Sequence, residues 1–311
     1  MKFKKPSINI VQNKRHLFCQ HTLFCYNETN NTKGGTLMEK EATVYDLEKI
    51  NDDIYALRTP YKDIFTTVYF IKTAHGALLF DAASYDCDVE NAIIPALHKL
   101  GIGEAELKYI FISHNHADHS GGLGRLLTSY PNACVVSGSA ALREKFAPHA
   151  FLSPADGDAL LGDLSVVLLP GHSWDSAALY DKRTKMLISG DSLQLYGIFG
   201  SGNWGANVSY AAAYAEHIQK LREMDIAAIL TAHDYHPYGR SFFGKAEIEA
   251  ALDACLSPFK LIQKLMEESP DADDEAICKK YNAQGNLPTL GLHVVKKYRE
   301  TVFCTGSTLF S

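Results

Sequence analysis

The segment Ser113-His114-Asn115-His116-Ala117-Asp118-His119 constrains this chain more than any other stretch of it. It follows directly on Tyr109-Ile110-Phe111-Ile112, a continuous apolar run of the kind a sheet buries on both faces. Two histidines two apart on extended chain point the same way, so His114 and His116 can share one ion. The chain must then turn, which aims Asp118 and His119 at a neighbouring point. HxHxDH arises by chance in on the order of one in a thousand such chains. Imidazole with carboxylate is a donor set for zinc, and also for iron or manganese. Glycines follow at Gly121, Gly122 and Gly124, where backbone can approach closely.

Three further ligand-type residues each end an apolar run. VVLLPGHS places His172 after a strand and a Pro-Gly turn, KMLISGDS places Asp191, and AAILTAHD places His233. A lone histidine is usually structural, but three repeats of strand, small residue and ligand are hard to explain as core packing. Strand ends are where open α/β sheets put their sites.

The remaining features bound the setting. A chain of 311 residues buries a full core without metal or disulfide, so a metal here serves chemistry. A net charge of −6 gives no basic excess for a phosphate backbone, and no apolar run is long enough to span a bilayer. The expected partner is therefore a small-molecule substrate, not nucleic acid or membrane, with self-association left open. Seven scattered cysteines without CxxC spacing read as reduced thiols, which points to the cytoplasm.

Residues 1–37 show no sustained period and read as a disordered leader or a mis-assigned start ahead of Met38. Residues 38–244 read as the catalytic domain, with short strands and helices alternating. His75-Gly76 suggests a hairpin turn, and 88–101 a helix capped by Asp88 and strained by Pro95. Val208 to Glu223 forms an amphipathic stripe. Residues 245–311 read as a helical extension packed on that domain, with an interruption at Pro258 and further helices near 272–283 and 289–303.

The series HNHADH, GHS, GDS and AHD, in that order, resembles the metallo-β-lactamase superfamily over roughly residues 42–240. The resemblance implies an α/β (α+β) fold, a four-layer αββα sandwich with two divalent metals in a cleft at the sheet edges. Carried over, it puts His114, His116 and His172 on one metal, Asp118, His119 and His233 on the other, and Asp191 between them. Zinc is the first expectation for both ions. Asp81, ending ALLFD, matches an early aspartate that steadies the ligand loop from behind. Aspartate at 191 sets the chain apart from true β-lactamases, which generally lack it, and resembles hydroxyacylglutathione hydrolases, lactonases and some phosphodiesterases.

The implied reaction is hydrolysis of an ester, thioester or lactone by hydroxide held between the ions, with Asp118 as catalytic residue orienting the nucleophile or taking its proton. Tyr196, Phe199 and Trp204, just beyond Asp191, are candidates for the substrate wall; Tyr61 and Phe65 could form a facing flap, and Arg240 could meet an anionic group. Lys279, Lys280, Lys296 and Lys297 read as a solvated helix face. The main alternative is an oxidoreductase resembling the one-iron persulfide dioxygenases, followed by a nucleic-acid phosphodiesterase and a non-catalytic binding protein. Oxygen-reducing diiron members usually carry glutamate where His116 stands.

Overall fold

The computed structural model describes residues 22–25, 43–200 and 204–305. Two sheets face each other. The first runs in sequence order through β1 (Thr22–Cys25), β2 (Thr43–Lys49), β3 (Ile54–Tyr61), β4 (Ile64–Thr73), β5 (Gly76–Phe80), β6 (Leu107–Phe111), β7 (Cys134–Val136) and β8 (Phe151–Leu152). Its pairs are antiparallel up to β5 and parallel from β5 to β8. The second contains β9 (Ala159–Leu160), β10 (Leu164–Leu168), β11 (Ala177–Asp181), β12 (Met186–Gly190), β13 (Ala228–Tyr235) and β14 (Gly239–Phe243), in the order β14-β13-β12-β11-β10-β9. Only β12 and β13 pair in parallel there.

The period of two along each strand explains the layers. On β4 and β5, Tyr69, Ile71, Leu78 and Phe80 meet Val166, Leu179, Ile188 and Leu230 between the sheets. Their neighbours Val68, Phe70 and Leu79 point to the other face, against Val89, Ile93, Leu97 and Leu123. Those last residues belong to a π turn at Val89–Ile93 that continues the short α1 (Asp86–Asp88), to α2 (Ile94–Lys99) and, beyond α3 (Ala117–Ser120), to α4 (Leu123–Ser129). A short α5 (Ala140–Lys145), capped by Ser139, adds Leu142. The outer face of the second sheet is covered by α6 (Ala211–Glu223), α7 (Gly244–Glu267), α8 (Asp274–Asn282) and α9 (Leu292–Thr305). Four layers result: helix, sheet, sheet, helix.

Several expectations need correcting. The helix near 88–101 begins at Asp86, and Asp88 is not its cap; its carboxylate instead accepts from the Tyr45 hydroxyl at 2.8 Å. Pro95 is accommodated by the π turn before it, where the Ile94 N–H reaches back to the Val89 carbonyl. α7 runs unbroken through Pro258, its stripe of Ile248, Ala251, Leu252, Cys255, Phe259 and Ile262 buried against the second sheet. That burial outweighs the hydrogen bond a proline forfeits. β14 was not expected, because Gly239-Arg240-Ser241 carries no strand pattern; its pairing with β13 is a tertiary outcome.

The hairpin at His75-Gly76 is present, with Thr73 opposite Gly76. Lys279, Lys280, Lys296 and Lys297 are exposed on their helices, as a solvated face requires. Within 1–37, Thr22–Cys25 pairs with β2; the rest of the proposed leader lies outside the described residues. Among the described residues, no helix is long and apolar enough to cross a membrane.

Candidate metal centre

β5, β6, β10, β12 and β13 all run towards one end of the sandwich, so Asp81, His114, His172, Asp191 and His233 are delivered to one edge between the two sheets. The sheets come unusually close there. Gly190 has φ +52°, and a Cβ on it would sit 2.7 Å from the Ser113 Cβ, so only glycine allows the approach. His116 is the extended residue before α3, which places Asp118 and His119 on that short helix. Gly121 and Gly122 then press α3 onto the loop after Asp81: an added Cβ would lie 2.1 Å from the Ser84 carbonyl or 2.3 Å from that of Ala82. Gly122→Ala is accordingly expected to lower stability by about 1–3 kcal/mol, read as a drop in the denaturant midpoint; an unchanged midpoint would show that this backbone approach is not tight.

All seven sequence-predicted ligands converge. His114 Nε2, His116 Nδ1 and His172 Nε2 form a triangle with edges of 2.9, 2.9 and 3.2 Å. Three nitrogens cannot all hydrogen-bond one another at such spacing, whereas zinc–nitrogen bonds of about 2.0–2.1 Å at tetrahedral angles span edges of about 3.3 Å. His119 Nε2 is buried without a hydrogen-bond partner, 3.3 Å from Asp118 Oδ2. His233 Nε2 lies 3.4 Å from the same oxygen. Asp191 faces both groups, Oδ1 at 3.1 Å from His233 Nε2 and Oδ2 at 3.6 Å from His172 Nε2. The donor sets His114-His116-His172 and Asp118-His119-His233 are each compact enough for one ion.

Partners behind the rings decide which nitrogen faces inward. His172 Nδ1 donates to the Asn207 carbonyl at 2.6 Å and His233 Nδ1 to that of Phe65 at 2.7 Å. His119 Nδ1 donates to Asp81 Oδ2 at 2.7 Å. In the neutral ring, each of these partners leaves the Nε2 lone pair for the centre. Asp81, fully buried, also accepts from Ser113 N–H at 2.8 Å and Ser113 Oγ at 3.0 Å. Thr66 Oγ1 donates to Asp118 Oδ2 at 3.0 Å.

Electrostatics divide the cluster. Burial, with His119 and His172 alongside, holds His114 well below the usual imidazole range, and burial pushes His172 down to about 4. Burial also opposes charge on His233, yet the Asp191 and Asp118 carboxylates push it up to about 10. His119 is likewise lifted against burial by Asp118, Asp81 and Asp191. Both carboxylates, Asp118 and Asp191, are held well below their ordinary range by these two imidazoles despite burial. The second donor set therefore balances its charge with protons where cations would otherwise do so.

A cavity of about 200 Å³ opens onto the donors, walled by Tyr61, Ile64, Ile198 and Trp204, with Gln194 and Asn207 as polar lining. Of the aromatic candidates, Tyr61 and Trp204 face it, 6.3 Å apart between centroids, and Trp204 Nε1 is tied to Asp63 Oδ1 at 2.7 Å. The other three aromatics, and Arg240, do not. Phe199 is half-exposed against His236, Tyr196 packs on the helical core, and Phe65 lies under Arg58. Arg240 is committed to Glu48 and Asp234, as a structural ion pair would be. Ile64, Ile198, Gln194 and Asn207 carried no signal in the sequence: Ile64 begins β4, and the other three are ordinary residues brought in by the loop after Asp191.

An αββα sandwich with seven histidine and aspartate donors at one sheet edge defines a class of metal-dependent proteins. The chain belongs to the metallo-beta-lactamase superfamily, whose family model matches residues 61–233, more than half of its length. It is similar to a hydroxyacylglutathione hydrolase of Crocosphaera subtropica, 30% identical over 168 residues that cover 53% of this chain and 64% of that protein. The chain spans less than two thirds of the length of these curated relatives. Among solved structures, a metallo beta lactamase from Erythrobacter litoralis aligns with TM-score 0.53 at 18% identity, covering 68% of this chain and 96% of that one. A flavoprotein from Thermotoga maritima aligns with TM-score 0.55 at 19% identity, covering 73% and 68%. These structural likenesses establish the fold. Family membership and the converging donors together make this a divalent-metal-binding protein.

Proposed function

We propose that the chain is a hydrolase of ester-type bonds (ester, thioester or lactone) in a small molecule, with two zinc ions in the donor sets above. One observation carries the reading: the two oxygens of Asp191 face different histidine groups beside an open cavity. Bound there, a divalent pair lowers the pKa of water to about 7 and polarises a carbonyl oxygen. Asp118, held by Thr66, orients the attacking water, takes its proton and returns it to the leaving oxygen or sulfur as the acyl bond breaks. Tyr61, Ile64, Ile198 and Trp204 exclude water and hold the apolar part of the substrate. Among the described residues, the cavity lining includes no lysine or arginine, which favours an uncharged acyl group. Free thiols at Cys87, Cys134, Cys255 and Cys278 accord with a reducing, cytoplasmic setting.

The test is turnover of purified protein against thioesters, lactones, aryl esters and phosphodiesters, with metals quantified on the same sample. Two zincs per chain with acyl hydrolysis is the expected result. One iron with oxygen uptake, or cleavage confined to phosphodiesters, overturns it.

Metal uptake is expected to release protons at neutral pH, because His233 keeps its proton up to about 10 in the metal-free chain. Below that pH a cation competes with the proton, so apparent affinity should rise about tenfold per pH unit for each proton displaced. Calorimetric titration in buffers of different ionisation enthalpy reads this directly; buffer-independent heats would contradict it.

A further inference from the structure

Gln194 stands between the two donor sets, and its side-chain amide can point only one way. Nε2 donates to the Asp191 carbonyl at 2.9 Å, while Oε1 accepts from the Asn207 N–H at 3.0 Å. A carbonyl only accepts and a peptide N–H only donates, so a flipped amide would lose both bonds. The second Nε2 proton goes to the Tyr235 hydroxyl at 3.2 Å. Tyr235 thus receives a hydrogen bond there and keeps its single proton for Asp191 Oδ1, 3.1 Å away. Both residues are buried, Gln194 at 1% exposure and Tyr235 at 0%, so no solvent competes for these bonds. On the other side, the Asn207 residue whose N–H meets Gln194 uses its carbonyl to hold His172 Nδ1 at 2.6 Å.

We propose that Gln194 and Tyr235 are positioning residues that set the two donor groups in register, one amide steadying Asp191 through the tyrosine proton and His172 through Asn207. The proposal rests on the reading of the cluster as a pair of cation sites. With one lone pair of Asp191 Oδ1 engaged by the phenol, the others stay directed at the imidazoles. With the Asn207 carbonyl fixed, His172 keeps its Nδ1 proton and presents Nε2. Loss of the relay loosens cation retention and the placement of attacking water, while the apolar wall of the cavity (Tyr61, Ile64, Ile198 and Trp204) is untouched.

Tyr235→Phe removes one oxygen and preserves the buried ring, and Gln194→Met preserves volume while removing every side-chain hydrogen bond. Zinc dissociation constants measured by competition with a chromogenic chelator are expected to weaken about 10–100-fold in either variant, with kcat falling and KM unchanged. Far-ultraviolet circular dichroism of the metal-free proteins checks the fold; if one variant fails to fold, the other reads the same relay. Wild-type affinity and kcat in a folded variant overturn the relay alone. Failure of the wild-type chain to take up zinc overturns the cation-site reading and the relay together. A rise in KM at unchanged metal affinity also overturns it, since that would place the pair at the substrate.

Discussion

Asp191→Ala should lower turnover by about 10³-fold, the loss that corresponds to several kcal/mol of transition-state stabilisation, and should cut bound metal below two per chain. The carboxylate faces both donor sets, with Oδ1 3.6 Å from His119 Nε2 and 3.1 Å from His233 Nε2, and Oδ2 3.6 Å from His172 Nε2. Alanine leaves crowded, buried imidazoles with less negative charge to balance a cation or a proton. The residue is 5% exposed, so water cannot take over that role. Asp191→Asn separates charge from shape: it keeps the size and an acceptor for Tyr235 but removes the charge, and should lose metal nearly as severely. Metal analysis and kinetics on one preparation decide the matter. Full turnover in metal-stripped protein, or two tightly held ions in Asp191→Ala, would refute the assignment.

Asp81→Ala should destabilise the metal-free protein by about 3–5 kcal/mol, the usual consequence of stripping one partner from a buried charge-assisted network. It should also weaken metal binding about 10–100-fold. Its carboxylate satisfies Ser113 N–H, Ser113 Oγ and His119 Nδ1, and among the described residues no other carboxylate stands behind the His119 ring. Without it His119 is free to carry its proton on the inward nitrogen, where a cation needs a lone pair. The backbone adds a second cost, since Asp81 has φ +66°, a left-handed conformation that aspartate and asparagine tolerate better than alanine. Asp81→Asn should therefore fall between the two. Denaturant unfolding of the metal-free variants gives the stability change, and nitrogen-15 shifts of His119 give the tautomer. An Asp81→Ala midpoint equal to wild type would remove Asp81 from this role.

The donor residues were legible because local rules sufficed for them. An apolar run followed by a small residue and a ligand supplies His114, His172, Asp191 and His233, and Asp81 directly ends the apolar run ALLF. The stripe on α7 was legible for the same reason, as helical periodicity survived Pro258. The substrate side was legible only in part. Tyr61 and Trp204 line the cavity, whereas Phe65, Tyr196, Phe199 and Arg240 do not, although the sequence offered all six as candidates. Composition says that an aromatic will bury itself; it does not say against what. In the loop after Asp191 that choice follows from long-range pairing: Ile198 bridges to Tyr235, Gly197 to Gly205, and Gly205 N–H donates to Thr289 carbonyl at 2.9 Å.

What the sequence alone determined was the chemistry: which side chains could bind metal and, through alternation along strands, that they would gather at sheet edges. What only the tertiary structure decided was how those side chains are held. The Gln194 relay joins residues up to 44 positions apart, and His293 on α9 reaches Asn207 Oδ1 at 2.8 Å across 86 positions. Periodicity reports which face of an element is buried, over a few residues at a time. A hydrogen bond depends on where two atoms end up after both sheets and every helix have packed, and no local pattern encodes that distance.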